Sequence, residues 1–272
     1  MVKYNKMLRT DLAIEFSKNI STEYSDDLIK KSVVKVGKDL SKKINKPVGT
    51  YITVETNAVK NFDKSDYKKV SAQIASSLDK LTDCNNCLIV GLGNPNMTAD
   101  SLGKKALEKI MVTRHLESGK NIPIVSAIAP NVLGVTGIES FDIISGVVSK
   151  VKPNCVIVID SLAGASVGRI ASAFQITDSG ITPGSGVSNH RIRLDKTSLG
   201  VAVYSIGVPL VVYASTIIND AFNDNLPNYD THNKEIFDMI VTPKDIDILV
   251  DDCAKIIASA INIKFYGDDI II

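Results

Sequence analysis

Short runs that are apolar at nearly every position recur along the last two thirds of the chain. They are Leu88–Leu92 (LIVGL), Ile124–Ile128 (IVSAI), Val156–Ile159 (VIVI), Val201–Val203 with Ile206, and Leu210–Val212. A strand covered on both faces reads this way, which predicts a parallel or mostly parallel sheet. Helix-length stretches separate the runs, among them Ala99–His115, Phe141–Lys150 and Asp245–Ala260. Alternating β and α segments predict a three-layer α/β fold with helices on both faces of the sheet. Upstream, Val48–Val54 (VGTYITV) is β-branched with partial alternation and reads as a strand. Lys64–Leu81 places Tyr67, Val70, Ile74, Leu78 and Leu81 at helical spacing and reads as an amphipathic helix. The first 45 residues are rich in lysine and serine, with helical spacing between Leu28 and Leu40 and no strong core signal. No internal repeat or Pro/Gly/Ser linker divides the chain, so the simplest organisation is a single domain with an N-terminal extension.

Composition narrows the classes. In 272 residues, 44% are hydrophobic and 22% charged, which excludes wholesale disorder. A net charge of +1 provides no global field for polyanionic nucleic acid or an anionic membrane. The longest apolar runs fall well short of the ~20 residues that span a bilayer. Met1–Arg9 is polar and lacks the apolar centre of a signal peptide. Four cysteines, two of them inside apolar runs, fit a reducing interior rather than a disulfide scaffold. The expectation is a soluble cytoplasmic protein.

Open parallel sheets build their sites beyond the carboxyl ends of the strands. Two of the loops there carry an aspartate: GNPNMTAD ends in Asp100, and Asp160 directly follows Val156–Ile159. Asp100 has a plain reading as well, a carboxylate in a helix's first turn with Thr98 as cap. Asp160 is harder to explain structurally, because an unpaired carboxylate at a buried strand end costs several kcal/mol. Two such aspartates can share a proton, one acting as general base on water and the other as general acid.

Other motifs carry less. Gly91-Leu92-Gly93 follows a strand, but the third glycine of a dinucleotide fingerprint falls on Asn96. Asp178-Ser179-Gly180 has the triplet of pepsin-like proteases without their all-β surroundings, and reads as a turn. Gly180–Ser188 (GITPGSGVS) reads equally as a cleft-lining or a surface loop. Cys84-x-x-Cys87 has no second pair, which argues against structural zinc. His115, His190 and His232 form no HExxH or closely spaced pair.

A set of longer motifs runs collinearly: GLGNPNMTADSLG (91–103), VTRHL (112–116), SAIAPNVLGVTGIES (126–140), KPNCVIVIDSLA (152–163), QITDSGITPGSGVSNHR (175–191), LGVAVYSIGVPLVV (199–212) and VTPKDID (241–247). Together they resemble the germination protease family of spore-forming Firmicutes over nearly the whole chain. The resemblance implies a fold similar to that of hydrogenase maturation proteases. It implies an endopeptidase that begins the degradation of small acid-soluble spore proteins during germination. It further implies a homotetramer in the cytoplasm of the forespore and spore core, with no membrane and no direct nucleic-acid partner. The family's two essential aspartates fall on Asp100 and Asp160. Ala99 and Lys104 stand where the family has prolines, Ser161 where it has alanine and Tyr213 where it often has aspartate. The polar segment before VTPK is shortened to about 219–240.

Substrates of the family are cut after the first acidic residue of Thr-Glu-(Phe/Ile)-Ala-Ser-Glu, and Thr10-Asp11-Leu12-Ala13-Ile14-Glu15 has that shape. The resemblance implies a self-processing zymogen with Asp11–Leu12 as the autoprocessing bond, residues 1–11 as pro-segment and 12–272 as the protease domain. A capping threonine on an amphipathic turn is the plainer reading of the same residues. A cleft that selects an acidic residue needs a cation, and Arg114, Arg169, Arg191 and Arg193 lie in motifs flanking the site loops. No cofactor is called for. Two alternatives stay open: the same protease with a metal held by the aspartates, with or without His115, and a non-catalytic paralogue that binds spore proteins. A nucleotide-binding oxidoreductase is a third.

Overall fold

The computed structural model describes residues 9–16, 20–116, 122–184, 191–222 and 235–267. His190, His232, residues 1–8 of the expected pro-segment, 185–188 of the glycine-rich loop and most of the shortened segment lie outside them.

Nine strands form one mixed sheet: β1 (Ser21–Ser25), β2 (Ile29–Val36), β3 (Gly49–Thr56), β4 (Asn86–Gly91), β5 (Ile124–Ile128), β6 (Cys155–Gly164), β7 (Ala173–Thr177), β8 (Ala202–Tyr213) and β9 (Ile240–Val241). Their order is β1-β2-β3-β7-β8-β6-β4-β5, with β9 on β8. The strands β8, β6, β4 and β5 run parallel, and these are the runs that read as apolar throughout. An antiparallel wing of β1, β2, β3 and β7 extends this parallel centre.

Helices Tyr67–Leu81, Leu102–Leu107 and Ile246–Tyr266 pack on one face through Ile74, Leu78, Leu102, Ile257 and Ile261. Helix Ser140–Val151 covers the other with Ile144 and Val148, against Leu88, Val90, Val156 and Val158. These are the three expected layers. The helix expected over Ala99–His115 is shorter: a 3-10 turn at Thr98–Asp100, then Leu102–Leu107. Residues between Leu28 and Leu40, with their helical spacing, mostly form strand β2 instead. Val33, Val34 and Val36 are buried there, and β-branched residues fit a pleated surface better than a helix. Val201–Val203, Ile206 and Leu210–Val212 merge into the single long strand β8.

The cysteines depart from the reducing interior expected of them. Cys84 and Cys155 are joined in a disulfide, with their Cα atoms 6.3 Å apart. They stand 71 residues apart in sequence. Parallel pairing sets Cys155 opposite Cys87, and the turn before β4 folds Cys84 back onto them. Only the sheet register could reveal this. The bond sits at the amino-terminal ends of β4 and β6, away from the strand ends that carry Asp100 and Asp160. Alkylation after unfolding without reductant should label Cys87 and Cys253 alone, and reductant should expose all four thiols. Closing a loop of this length should contribute about 2–4 kcal/mol. Reduction should therefore lower the melting temperature by roughly 5–10 °C; an unchanged thiol count would remove the bond.

Candidate active site

The site begins with a mismatch in strand length. Strand β4 stops at Gly91, opposite Ile159, and the Leu92 N–H makes the last contact at 2.9 Å to the Ile159 carbonyl. Strand β6 continues to Gly164, paired only with β8. Asp160 is thus inside a strand rather than at its end, at the first position where β4 no longer covers the backbone. Its side chain is 6% exposed, and Oδ1 accepts the Ser161 N–H at 2.9 Å.

Asp100 comes from the other side. After β4 the chain turns back through Gly93, whose φ of +100° favours glycine and where a Cβ would strike the Asp100 backbone and carboxylate. Gly91 and Gly103 likewise touch backbone to backbone, which seats the 3-10 turn against the end of β4. The Asn94 N–H donates to Asp100 Oδ2 at 2.7 Å. The expected Thr98 cap is not formed; the turn's amides close on Met97 and Thr98 carbonyls instead.

Both carboxyl groups line one cleft of about 1950 Å³, larger than the ~300–1,000 Å³ of small-molecule pockets. Burial raises the pKa of Asp160 well above its ordinary value, and the charges of Asp100 and Asp11 push it further. Burial also raises Asp100, countered by the Asn94 amide and the Arg191 guanidinium. The pair therefore holds a proton above the usual carboxylate range. Asp160, more deeply buried and facing two negative groups, is the side that carries it. Ser161 Oγ is buried beside it without a hydrogen-bond partner.

Residues 10–15 run beside the same cleft, with Thr10 and Asp11 on its wall and Leu12, Ala13 and Ile14 packed into the core behind it. The β6–β8 register shifts at Leu162/Ala163, where β8 carries the extra residue Leu210, and beside that shift the segment meets Ala163 of β6. Its carbonyl accepts the Asp11 N–H at 2.9 Å, and its N–H donates to Asp11 Oδ2 at 2.9 Å. Gln175 Nε2 donates to the Asp11 carbonyl at 3.2 Å, and Gln175 Oε1 accepts the Ala13 N–H at 2.8 Å. Leu12 and Ala13 are fully buried among Val34, Val36, Ile44, Tyr51, Leu162 and Ala173. Arg9 lies 4.9 Å over the Tyr213 ring and pairs with Asp238 at 2.6 Å.

The candidate arginines separate clearly. Arg169 reaches Glu15 at 3.8 Å and is held by Glu55. Arg191 pairs with Glu139 at 3.2 Å on the Asp100 side of the cleft. Arg193 binds Asp195 and the Ser179 carbonyl. Arg114 and His115 are exposed and outside the cleft wall. The cation at Asp11 is Lys46, with Nζ 3.9 Å from Asp11 Oδ1 and 2.9 Å from the Thr10 carbonyl. Lys46 sits in the lysine-rich N-terminal stretch, where nothing sets it apart from Lys42 or Lys43. Asp178 accepts the Thr50 N–H at 2.7 Å and ties down a strand end, as a turn residue would. Ile181–Gly184 of the glycine-rich loop line the cleft.

A sequence model of the germination protease family matches residues 13–236. The chain belongs to the germination protease family. A germination protease of Clostridium perfringens strain 13 is 36% identical over 94% of each chain, and one of Clostridium tetani 38% identical, also over 94% of each. One of a Geobacillus species is 42% identical over 77% of this chain and 59% of that relative. Membership makes the chain a hydrolase, an endopeptidase of spore germination. Among solved structures, the [NiFe] hydrogenase maturation protease HycI of Thermococcus kodakarensis matches with a TM-score of 0.39 at 20% identity, covering 68% of this chain and 99% of that one. Among the described residues no helix is long and apolar enough to cross a membrane.

A buried carboxyl with a raised pKa opposes folding once it must ionise. Its favourable contribution is complete below the unfolded value near 4 and is lost as pH rises through the folded value. Asp160→Asn should therefore match the parent's stability at pH 3–4 and exceed it at pH 8, on the order of 2 kcal/mol. Thermal melts across that range check it, and a pH-independent difference would place the charge in water.

Proposed function

We propose that this family member cuts small acid-soluble spore proteins after an acidic residue, with Asp100 and Asp160 activating water directly. The observation that carries the reading is residues 10–15, of substrate-like sequence, running beside the cleft that holds both aspartates. On this reading the chain is made as a zymogen and cuts itself at Asp11–Leu12, with residues 1–11 as the pro-segment. The family resemblance also supports a homotetramer working in the forespore and spore core.

The chemistry follows from the shared proton. Asp100, where the Asn94 amide and Arg191 oppose the upward push of burial, takes a proton from water as the oxygen attacks the scissile carbonyl. Asp160 delivers its proton to the carbonyl oxygen. As the resulting gem-diol collapses, Asp100 passes the proton it took from water to the leaving amine, and Asp160 takes one back from a gem-diol hydroxyl. Gln175 holds the carbonyl of the residue before the cut and the amide two residues after it. The unpartnered Ser161 hydroxyl offers a further donor next to Asp160. Among the described residues, a metal-dependent version would rely on carboxylate ligands, because His115 lies outside the cleft wall, and such ligands favour a hard cation.

The test incubates the full chain with one purified small acid-soluble spore protein and reads the products by mass spectrometry between pH 5 and 9. A cut after an acidic residue should appear, survive excess chelator and fall by at least about 10³-fold in Asp160→Asn or Asp100→Asn. The rate should decline as rising pH removes the proton from Asp160. Loss in chelator, restored by added metal, would replace direct water activation with metal chemistry. Binding without any cut would make the chain a non-catalytic paralogue.

A further inference from the structure

The acid-reading cation of the cleft is missing from the arginines that the sequence offers, and the structure supplies a different pair. The six residues Thr10–Glu15 carry two carboxylates four positions apart, with a fully buried apolar residue between them. Each carboxylate has a cation within 4 Å and a backbone amide, and the charge of Lys46 also reaches Glu15. Asp11 has Lys46 at 3.9 Å and the Ala163 N–H at 2.9 Å. Glu15 has Arg169 at 3.8 Å and the Ala165 N–H at 3.0 Å. Thr10 closes the unit, accepting the Leu12 N–H at 3.0 Å and donating to Glu15.

We infer that Lys46 and Arg169 are the specificity-determining residues of this protease, Lys46 for the acidic residue before the cut and Arg169 for the acidic residue four positions after it. The inference deepens the proposed function and rests on reading residues 10–15 as bound substrate.

The two cations differ in kind. The Lys46 side chain is 14% exposed, its ammonium 5.9 Å over the Phe16 ring and held by the Thr10 carbonyl. A buried cation left without its anion is costly, so a neutral residue in the Asp11 position is rejected as much by what it leaves behind as by what it fails to bind. Arg169 is 27% exposed and already held by Glu55, so Glu15 shares it. Lys46 should therefore discriminate strongly and Arg169 weakly. Asp or Glu can serve before the cut, since Lys46 is a point charge on a flexible stem rather than a rigid fork.

A double-mutant cycle in the full chain tests this. Self-cleavage at Asp11–Leu12 is followed by intact mass in the parent, Lys46→Met, Asp11→Asn and the double variant, the methionine keeping the apolar stem. Each single change should slow cleavage at least about 30-fold, and the double should be no slower than either. Asp11→Glu should restore the parent rate to within about threefold. Arg169→Gln with Glu15→Gln should show the same non-additivity at about 3–10-fold. Losses that multiply across Lys46→Met and Asp11→Asn would make Lys46 a structural residue and overturn the inference. If the parent makes no cut at all, the proposed function fails, and the same cycle is read by hydrogen exchange at the Leu12 and Ala13 amides. Exchange there should rise about tenfold or more in each single variant and no further in the double, with the Ile246–Tyr266 helix unchanged. Unaltered exchange would overturn the pairing independently of catalysis.

Discussion

A carboxylic acid inside a β-strand is expensive unless it stays protonated or finds a partner, and the site is arranged around that cost at Asp160. Strand β6 outruns β4, so Asp160 is enclosed by the sheet on one side and opened to the cleft on the other. Among the described residues, the hydrogen bond to its carboxyl comes from the amide that follows it. Water is largely excluded, and the charges of Asp100 and Asp11 make ionisation harder still. A group held this way keeps a proton where an ordinary aspartic acid would have lost it, which an acid catalyst at neutral pH needs. The glycines at 91, 93 and 103 serve the same end, since side chains there would push the Asp100 turn away from β6.

The parallel centre of the fold was legible because it is buried on both faces. Runs such as VIVI and LIVGL leave no amphipathic alternative, and the strand-end rule for α/β sheets then led to Asp100 and Asp160 without reference to any relative. The antiparallel wing was not legible in the same way. Strand β2 reads IKKSVVKV, and its buried Lys31 and Ser32 interrupt the alternation that would have marked it. Strand β7 is AFQIT, five residues all buried, too short to separate from its surroundings. Element lengths failed where tertiary contacts decide them: Leu102–Leu107 ends early because the chain must turn back to deliver the Thr113 amide to Val125 on β5.

The candidate site was legible in its acids and illegible in its cations. Asp160 violates a local expectation, and such violations are visible in a sequence. Lys46 violates nothing; one lysine among many in a polar stretch becomes special only when Ile44 packs under the docked segment and draws the side chain into the cleft. Arg169 was visible through its motif, yet its partners are Glu55 and Glu15, residues that no spacing rule connects to it. The Cys84–Cys155 bond belongs with these, because its two halves meet through a strand register. Long-range charge pairing and disulfide pairing share this property: residue type announces the capability, and only topology assigns the partner.

The docked segment also bears on how such a site avoids indiscriminate cutting. A dyad that activates water directly carries little selectivity of its own, since every peptide bond presents the same carbonyl. Selectivity has to come from how deeply a sequence can seat. Here the seat is apolar under Leu12 and Ala13, closed by the Ala163 and Ala165 amides and flanked by cations on both sides. A segment lacking the acids leaves a buried ammonium unpaired, and one lacking the apolar residue leaves a dry pocket unfilled. The segment that satisfies both is the chain's own. Residues 10–15 therefore exclude other polypeptides from the cleft while they remain docked, and they bring a third carboxylate close enough to raise Asp160 further. On the proposed reading, the contacts that define a substrate also favour the protonated form of Asp160, so recognition and acid–base readiness are coupled through one charge, that of Asp11.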